Sequence, residues 1–406
     1  MNKLNITSEI GRLKKVLVHE PGKELENLVP NSLQELLFDD IPWLPLAKKE
    51  HQAFVKTFRD NGVEVVYLVD LVSEALNTDL SVKKEFIDEF IKESGIYGDR
   101  LSKIVENYLL GFKDTKVMVL KTMAGIKKEE IKEYQPFNLA DLIGDFPFLT
   151  DPMPNLYFTR DPFTTISDFV SLHKMYSKTR SRETIYAKYI FKYHPEYKNT
   201  KLVYDRNYDY NIEGGDILVL NKHTLIIGQS ERTTPQAIEK LAKNLFFNDN
   251  TTYDNILVFS IPKYRTFMHL DTIFTQVDFD KFTIHKECYP LLKIFEITKD
   301  NDHLKIIARK ESLEDILEEK IGKKVILIPC GGLDKVNADR EQWSDGSNCV
   351  ALAPGEVITY ERNDITNQVL KEYNIKVHTI PSSELSRGRG GPRCMCMPLV
   401  REEIED

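Results

Sequence analysis

The sequence predicts a mixed α/β fold, a pseudo-symmetric ring of five similar units interrupted by an all-helical insertion. Three observations carry this reading. From Asp151 onward a pattern recurs in which a polar cluster leads into an apolar strand, a turn and a second apolar strand. Helix-like segments separate several of these units. Between about Val72 and Ile143 the strand signals give way to apolar residues at helical spacing among charges.

Taken in order, Leu13 to Val18 is a short apolar strand that the turn His19-Glu20-Pro21-Gly22 ends. Asn31 to Leu37 is weakly helical, and Lys48 to Arg59 is a better helix closed by Asn61-Gly62. Val63 to Val69 then reads as a buried strand, so the chain opens like a βαβ unit. In the insertion, Ser81 to Glu93 places Val82, Phe86, Ile87, Phe90 and Ile91 on one helical face. Asp99 to Phe112 repeats the pattern, and Val117 to Met123 and Lys127 to Tyr134 continue it. The charges here read as solvated faces. The expected organisation is a ring domain from residues 1–71 and 144–406, with a helical module at 72–143.

The repeating units follow. Phe158-Thr159-Arg160-Asp161-Pro162 precedes strands Phe163 to Ile166 and Phe169 to Leu172. Glu213-Gly214-Gly215-Asp216 precedes Ile217 to Leu220 and Leu225 to Ile227. Met268-His269-Leu270-Asp271 precedes Ile273 to Val277 and Phe282 to Ile284. Asp345-Gly346-Ser347-Asn348 precedes Val350 to Ala353 and Val357 to Tyr360. A fifth unit begins at Arg393-Cys394 and ends with the chain. Helices are expected at Pro235 to Leu245, Leu313 to Lys320 and Ile365 to Tyr373, and further strands at Ile256 to Ile261, Val325 to Pro329 and Lys376 to Ile380. Repetition around an axis protects the edges of β-rich units, and it would bring the polar clusters together.

Composition bounds the partners. The 406 residues are 41% hydrophobic and 29% charged, a globular balance. A net charge of -8 argues against general nucleic-acid or membrane affinity. Five cysteines, an odd number without framework spacing, point to reduced thiols and a cytoplasmic address. Met1 to Pro21 has no continuous apolar core of a signal peptide, and no later stretch is long enough to span a bilayer.

The stretch Ser386 to Arg401 holds glycines, a proline, arginines and Cys394 in a tight loop, followed by an apolar run from Met395 to Val400. Pro398 limits that run to an edge or a bulge. A thiol among guanidinium groups is expected to titrate below its usual value of about 8.5. The plain alternative is a small core residue beside a solvated loop. Arg387-Gly388-Arg389-Gly390-Gly391 also has the look of a nucleic-acid-binding segment, but it occurs once in an acidic chain.

The clusters contribute Asp161, Glu213, Asp216, His269, Asp271 and Cys394. Singly, each has a structural reading as a cap, a turn residue or a core imidazole. Together, Cys394 with His269 matches a nucleophile and its base, and Glu213 could orient the imidazole. Asp161 and Asp271 then lack a cation, and a planar guanidinium fits two carboxylates.

These residues, with Ser8-Glu9-Ile10-Gly11-Arg12-Leu13-Lys14, Phe38-Asp39-Asp40-Ile41-Pro42-Trp43 and Pro152-Met153-Pro154-Asn155, resemble the arginine deiminase family along essentially the whole chain. The resemblance implies the five-bladed α/β propeller (pentein) fold of the guanidino-group-modifying superfamily, with a helical module. It implies hydrolysis of L-arginine to L-citrulline and ammonia through a covalent Cys394 intermediate. His269 would be the acid and base, held by Glu213, and Asp161 and Asp271 would bind the guanidinium. Asn155, Arg180 and Arg232 match positions that hold the carboxylate and amino end. Asp216 matches a further pocket position, and Arg389 a mobile-loop arginine. No metal or organic cofactor is implied, and a homo-oligomer (dimer or higher) is the expected assembly. Related readings are hydrolysis of agmatine or methylated arginines, amidino transfer, or non-catalytic arginine binding. Cys396 departs from the Ser or Thr usual in the family and leaves a redox role for the pair open.

Overall fold

A computed structural model describes residues 3–136, 139, 146–264 and 266–404. Five sheets share one plan, in which two strands pair antiparallel, as a hairpin in four of them, and the inner strand takes a third strand in parallel. Phe163–Ile166, Phe169–Leu172 and Lys201–Tyr204 form one. Ile217–Val219, Thr224–Gln229 and Asn255–Ser260 form the next. Phe274–Gln276, Lys281–Ile284 and Ile326–Pro329 repeat it, as do Val350–Ala353, Glu356–Tyr360 and Lys376–Ile380. A parallel step needs a crossover. Helices Thr184–Tyr193, Pro235–Phe246, Leu313–Ile321 and Asp364–Glu372 supply it in turn.

The fifth sheet joins the two ends of the chain. Met397–Arg401 pairs antiparallel with Leu13–Val18, which pairs in parallel with Glu64–Tyr67 across helix Leu44–Asp60. Pro398 lies opposite Val16 on the edge strand, where its missing N–H costs no ladder bond.

The elements differ from expectation in a few places. The strand predicted to reach Val69 ends at Tyr67 and gives way to helix Leu68–Leu76, whose apolar residues recur at helical spacing. Pro30–Ser32 is a single 3-10 turn followed by further turns, where a weak helix was expected. Helices Leu80–Glu93, Asp99–Leu110 and Thr115–Ala124 fall within the expected insertion. Lys127 to Tyr134 does not continue it. Gly125, at φ +79°, stops the helix, and Ile126–Lys127 pairs with Phe148–Thr150. The insertion is therefore not all-helical, and its expected end at Ile143 lies outside the described residues. The hairpin Lys293–Asp300 and His303–Ala308, which widens the second sheet, was not anticipated.

Packing ties the insertion to the sheet that carries Asp161. Phe86 meets Tyr189 edge-on, with centroids 5.2 Å apart, and Glu89 takes Lys188 and Arg206 as ion-pair partners. Helix residues of the insertion share one apolar core with Phe163, Val170 and Leu172. The polar clusters sit just ahead of the first strand of each hairpin, so sheets that bury both faces deliver polar side chains from one end.

Candidate active site

Asp161, Glu213, His269, Asp271 and Cys394 each stand at such a strand entrance, and each is buried. His269 Nε2 lies 2.7 Å from Glu213 Oε2, and its Nδ1 is 3.9 Å from Asp161 Oδ1. A Cβ at position 215 would come within 2.6 Å of the imidazole ring, so Gly215 is what lets the ring lie there. Glu213 also accepts from the Tyr176 amide at 2.9 Å and from Arg232 Nη1 at 3.3 Å. On the other side, Cys394 Sγ is 3.6 Å from Asp271 Oδ2, which Arg393 Nη1 holds at 2.8 Å.

The nucleophile's backbone is pinned. Arg160 donates from its amide to the Cys394 carbonyl at 3.1 Å and from Nε to the Arg393 carbonyl at 3.2 Å. Tyr360 Oη donates to Gly390 O, Tyr157 Oη donates to Leu385 O, and Glu50 accepts from the amides of Glu384 and Leu385. The loop's glycines are demanded by close packing. A Cβ on Gly390 would meet the Phe158 ring at 2.3 Å.

The expected substrate-binding residues are placed as follows. Arg180 donates to Asp161 Oδ2 at 2.9 Å and grips Glu183 through Nε and Nη2. Arg232, beside Glu213, is less buried and reaches the sulfur of Met268 at 3.4 Å. Asn155 donates to the Leu36 carbonyl at 2.7 Å. Asp216 accepts from the Leu270 amide and from Ser230 Oγ, which fixes the segment next to His269. Arg389 adopts a left-handed backbone at φ +58°, and its guanidinium lies 3.5 Å from the Trp343 ring centroid.

Two residues were not singled out from the sequence. Asn348 donates from Nδ2 to Cys394 Sγ at 3.2 Å and accepts the Cys394 amide at 3.1 Å. Asp345, in the same cluster, is buried at φ +60°, and its Oδ2 has no hydrogen-bond partner among the described residues. The sequence signal was the polar cluster ahead of the fourth hairpin, the one unit left without a chemical candidate.

The electrostatics reverse one expectation. Burial pushes the Cys394 thiol well up, Asp271, Asp161 and Asp345 add to it, and Arg393 only partly opposes them. The loop's other arginines point elsewhere: Arg387 pairs with Asp40, and Arg389 lies over Trp343. For His269, burial works to lower the pKa, but Asp161, the Glu213 hydrogen bond and Asp216 outweigh it and raise the value to about 9. Burial would raise Glu213, yet Arg232 and His269 hold it far below the usual carboxylate range. Burial and the charge of Asp271 lift Asp345 to about 7, against the pull of Arg389 and Arg362.

Asp161, Glu213 and His269 each offer a ligand atom within 4.8 Å of the others, the spacing of a cation site. All three groups are already engaged, Glu213 and His269 with each other and Asp161 with Arg180. Cys394 and Cys396 lie in a turn ahead of the final strand, and Cys396 Sγ faces the Pro392 carbonyl at 3.5 Å.

Repeated hairpins bring a cysteine, a histidine and several carboxylates together at one buried spot. Solved structures share the fold. The amidinotransferase SxtG from Microseira wollei superposes with a TM-score of 0.57 at 14% identity, covering 99% of this chain and 98% of that one. A citrulline-bound dimethylarginine dimethylaminohydrolase from Pseudomonas aeruginosa gives 0.51 at 13%, covering 95% and 99%. The arginine deiminase family model matches residues 34–401, and the chain belongs to that family. Arginine deiminases of Clostridium perfringens and Streptococcus gordonii are each 52% identical to it, over 99% of this chain and 98% and 99% of theirs.

Proposed function

We propose that this chain hydrolyses the guanidinium C–N bond of L-arginine to give L-citrulline and ammonia, through a Cys394 S-amidino intermediate. One observation carries the reading beside family membership. Asp161 Oδ1 and Asp271 Oδ1 are buried with no hydrogen-bond partner among the described residues. Buried carboxylate oxygens require donors. A guanidinium supplies them in a plane, and the thiol stands beside one of the two carboxylates.

With both carboxylates engaged, the guanidinium carbon faces Sγ. The Cys394 proton passes to solvent as the cation seats, and the thiolate adds to that carbon to give a tetrahedral adduct. His269, protonated in the free enzyme and held through Nε2 by Glu213, gives its Nδ1 proton to the leaving nitrogen. Ammonia departs and an S-amidino group remains on Cys394. Neutral His269 then takes a proton from water, and the hydroxide adds to the same carbon; as the C–S bond breaks, the new hydroxyl gives up its proton to solvent, and citrulline leaves with the thiolate restored and His269 protonated again. Fixing the planar cation between two carboxylates supplies the orientation that solution lacks. Arg232, Arg180 and Asn155 are assigned to the carboxylate and amino end of the substrate, and Arg389 to a place near the site.

We read the repeated sheets as a five-bladed propeller formed by residues 1–71 and 144–406, with 72–143 as an inserted module. No helix among the described residues is long and apolar enough to cross a membrane. Five unpaired cysteines favour a reducing, cytoplasmic setting, and a homo-oligomer is the expected assembly. The test is incubation with L-arginine and, separately, agmatine, with Cys394→Ala as control. Equal citrulline and ammonia from arginine alone, lost in the variant, is expected. Turnover of agmatine instead would overturn the roles of Arg180 and Arg232.

A further inference from the structure

Ser8-Glu9-Ile10-Gly11 lies ahead of the first strand, and the reaction leaves it without a role. Its Glu9 is buried, and its carboxylate meets Arg393 at two points, Oε2 to Nε at 3.0 Å and Oε1 to Nη2 at 3.1 Å. Arg393 Nη2 also donates to the Ile217 carbonyl at 2.7 Å, and Glu9 Oε1 accepts the Val219 amide at 3.1 Å. A guanidinium fork held this way presents its remaining terminal nitrogen, Nη1, to Asp271 Oδ2.

We propose that Glu9 and Arg393 are positioning residues that set the Asp271 carboxylate for the substrate. The assignment rests on Asp271 as a guanidinium-binding carboxylate. Three elements far apart in sequence meet here: the segment before the first strand, the strand Ile217–Val219 and the nucleophile's own loop. Arg393 holds Oδ2, the oxygen beside the thiol, and leaves Oδ1 buried with no hydrogen-bond partner among the described residues. Without the fork, the carboxylate could rotate about its last bond and offer either oxygen, or neither. Because Arg393 immediately precedes Cys394, the same anchor fixes the sulfur's chain position relative to that carboxylate. Glu9 also faces Arg160 and Arg401, so it answers several buried cations. Burial would raise its own titration, and Arg393 first, with Arg160 and Arg401, holds it down at about 2.

The test measures L-arginine binding by calorimetry in Cys394→Ala protein, which keeps substrate intact, with Glu9→Gln and Asp271→Asn added singly and together. Gln keeps the shape of Glu9 and an oxygen for the Val219 amide, so the fold should survive; melting temperatures check this. Glu9→Gln is expected to weaken binding about tenfold, the worth of one well-placed charge-assisted hydrogen bond. In the Asp271→Asn background it should cost less than about twofold, because the two residues act in series. In the enzyme with Cys394 intact, Glu9→Gln should lower kcat/KM by about a hundredfold, the scale of a small misplacement at the reacting centre. Arg393→Lys keeps the charge without the fork and should resemble Glu9→Gln. Equal binding with and without Glu9→Gln, where Asp271→Asn does weaken binding, would overturn the positioning role alone. An unchanged affinity in Asp271→Asn itself would remove Asp271 from guanidinium binding and the proposal with it.

Discussion

Seating a guanidinium in the free site lowers the pKa of Cys394, and the size of the shift follows from the geometry. In the free enzyme burial, Asp271, Asp161 and Asp345 hold the thiol well above its ordinary value. At that ordinary value a thiol is already only about 3% ionised near neutral pH, so the free site is almost wholly protonated. A cation seated on Asp161 and Asp271 would lie about 4 Å from Sγ. At an effective dielectric constant near 20, that contact is worth about 4 kcal/mol, or about three pH units as an upper bound. Engaging the carboxylates' charge relieves them as well and acts in the same direction. The assay is ultraviolet thiolate absorbance against pH, with Cys394→Ser subtracted to remove the other cysteines. It is run with and without methylguanidinium, which has no carboxylate to engage the site's arginines. The midpoint should fall by one to three units with the analogue, an order-of-magnitude range from the same Coulomb argument. Asp271→Asn should also lower it without any ligand, since Asp271 is the largest charge raising it. A free-enzyme midpoint at or below the ordinary thiol range, or one that the analogue leaves in place, would refute the reasoning.

Two further outcomes are expected. Asn348→Ala removes the two hydrogen bonds that Asn348 makes to Cys394 and one to the Asp271 carbonyl, so kcat should fall by about tenfold or more with KM little changed, because Asn348 touches the sulfur and not the carboxylate groups. Steady-state kinetics reads it, and a loss confined to KM would contradict the assignment. His269 titrates near 9 in the folded protein against about 6.5 unfolded, so its contribution is present in full below about pH 6.5 and is lost as pH rises through about 9. The amount is roughly 3 kcal/mol, and urea unfolding on either side of that window should show a decline that His269→Gln lacks.

Much of the strand plan was legible because its signals are local. Phe163–Ile166, Phe169–Leu172 and Lys376–Ile380 are apolar runs cut by turn residues, and their bounds match the expected ones. Local signals failed where two patterns overlap. Val63 to Val69 is apolar enough for a strand throughout, and only packing turns its second half into helix Leu68–Leu76. The hairpin Lys293–Asp300 and His303–Ala308 carries charges on both strands, which hid its alternation. Asn348 escaped notice because an amide in a turn has a sufficient local reading, and what distinguishes it is a contact with Cys394.

By itself the sequence determined the kind of chain this is. It set out the repeated hairpins, the helices between them, and a polar cluster at each strand entrance, since periodicity and turn chemistry act over a few residues. Tertiary structure decided which charges face the sulfur. Counting neighbours along the chain puts arginines around Cys394, but Arg387 leaves for Asp40, Arg389 lies over Trp343, and Arg393 turns to Glu9 and Asp271. The groups that close on the thiol are carboxylates from other sheets, Asp271, Asp161 and Asp345. Coulomb energy depends on distance in space, and closing the chain's two ends into one sheet is what sets those distances.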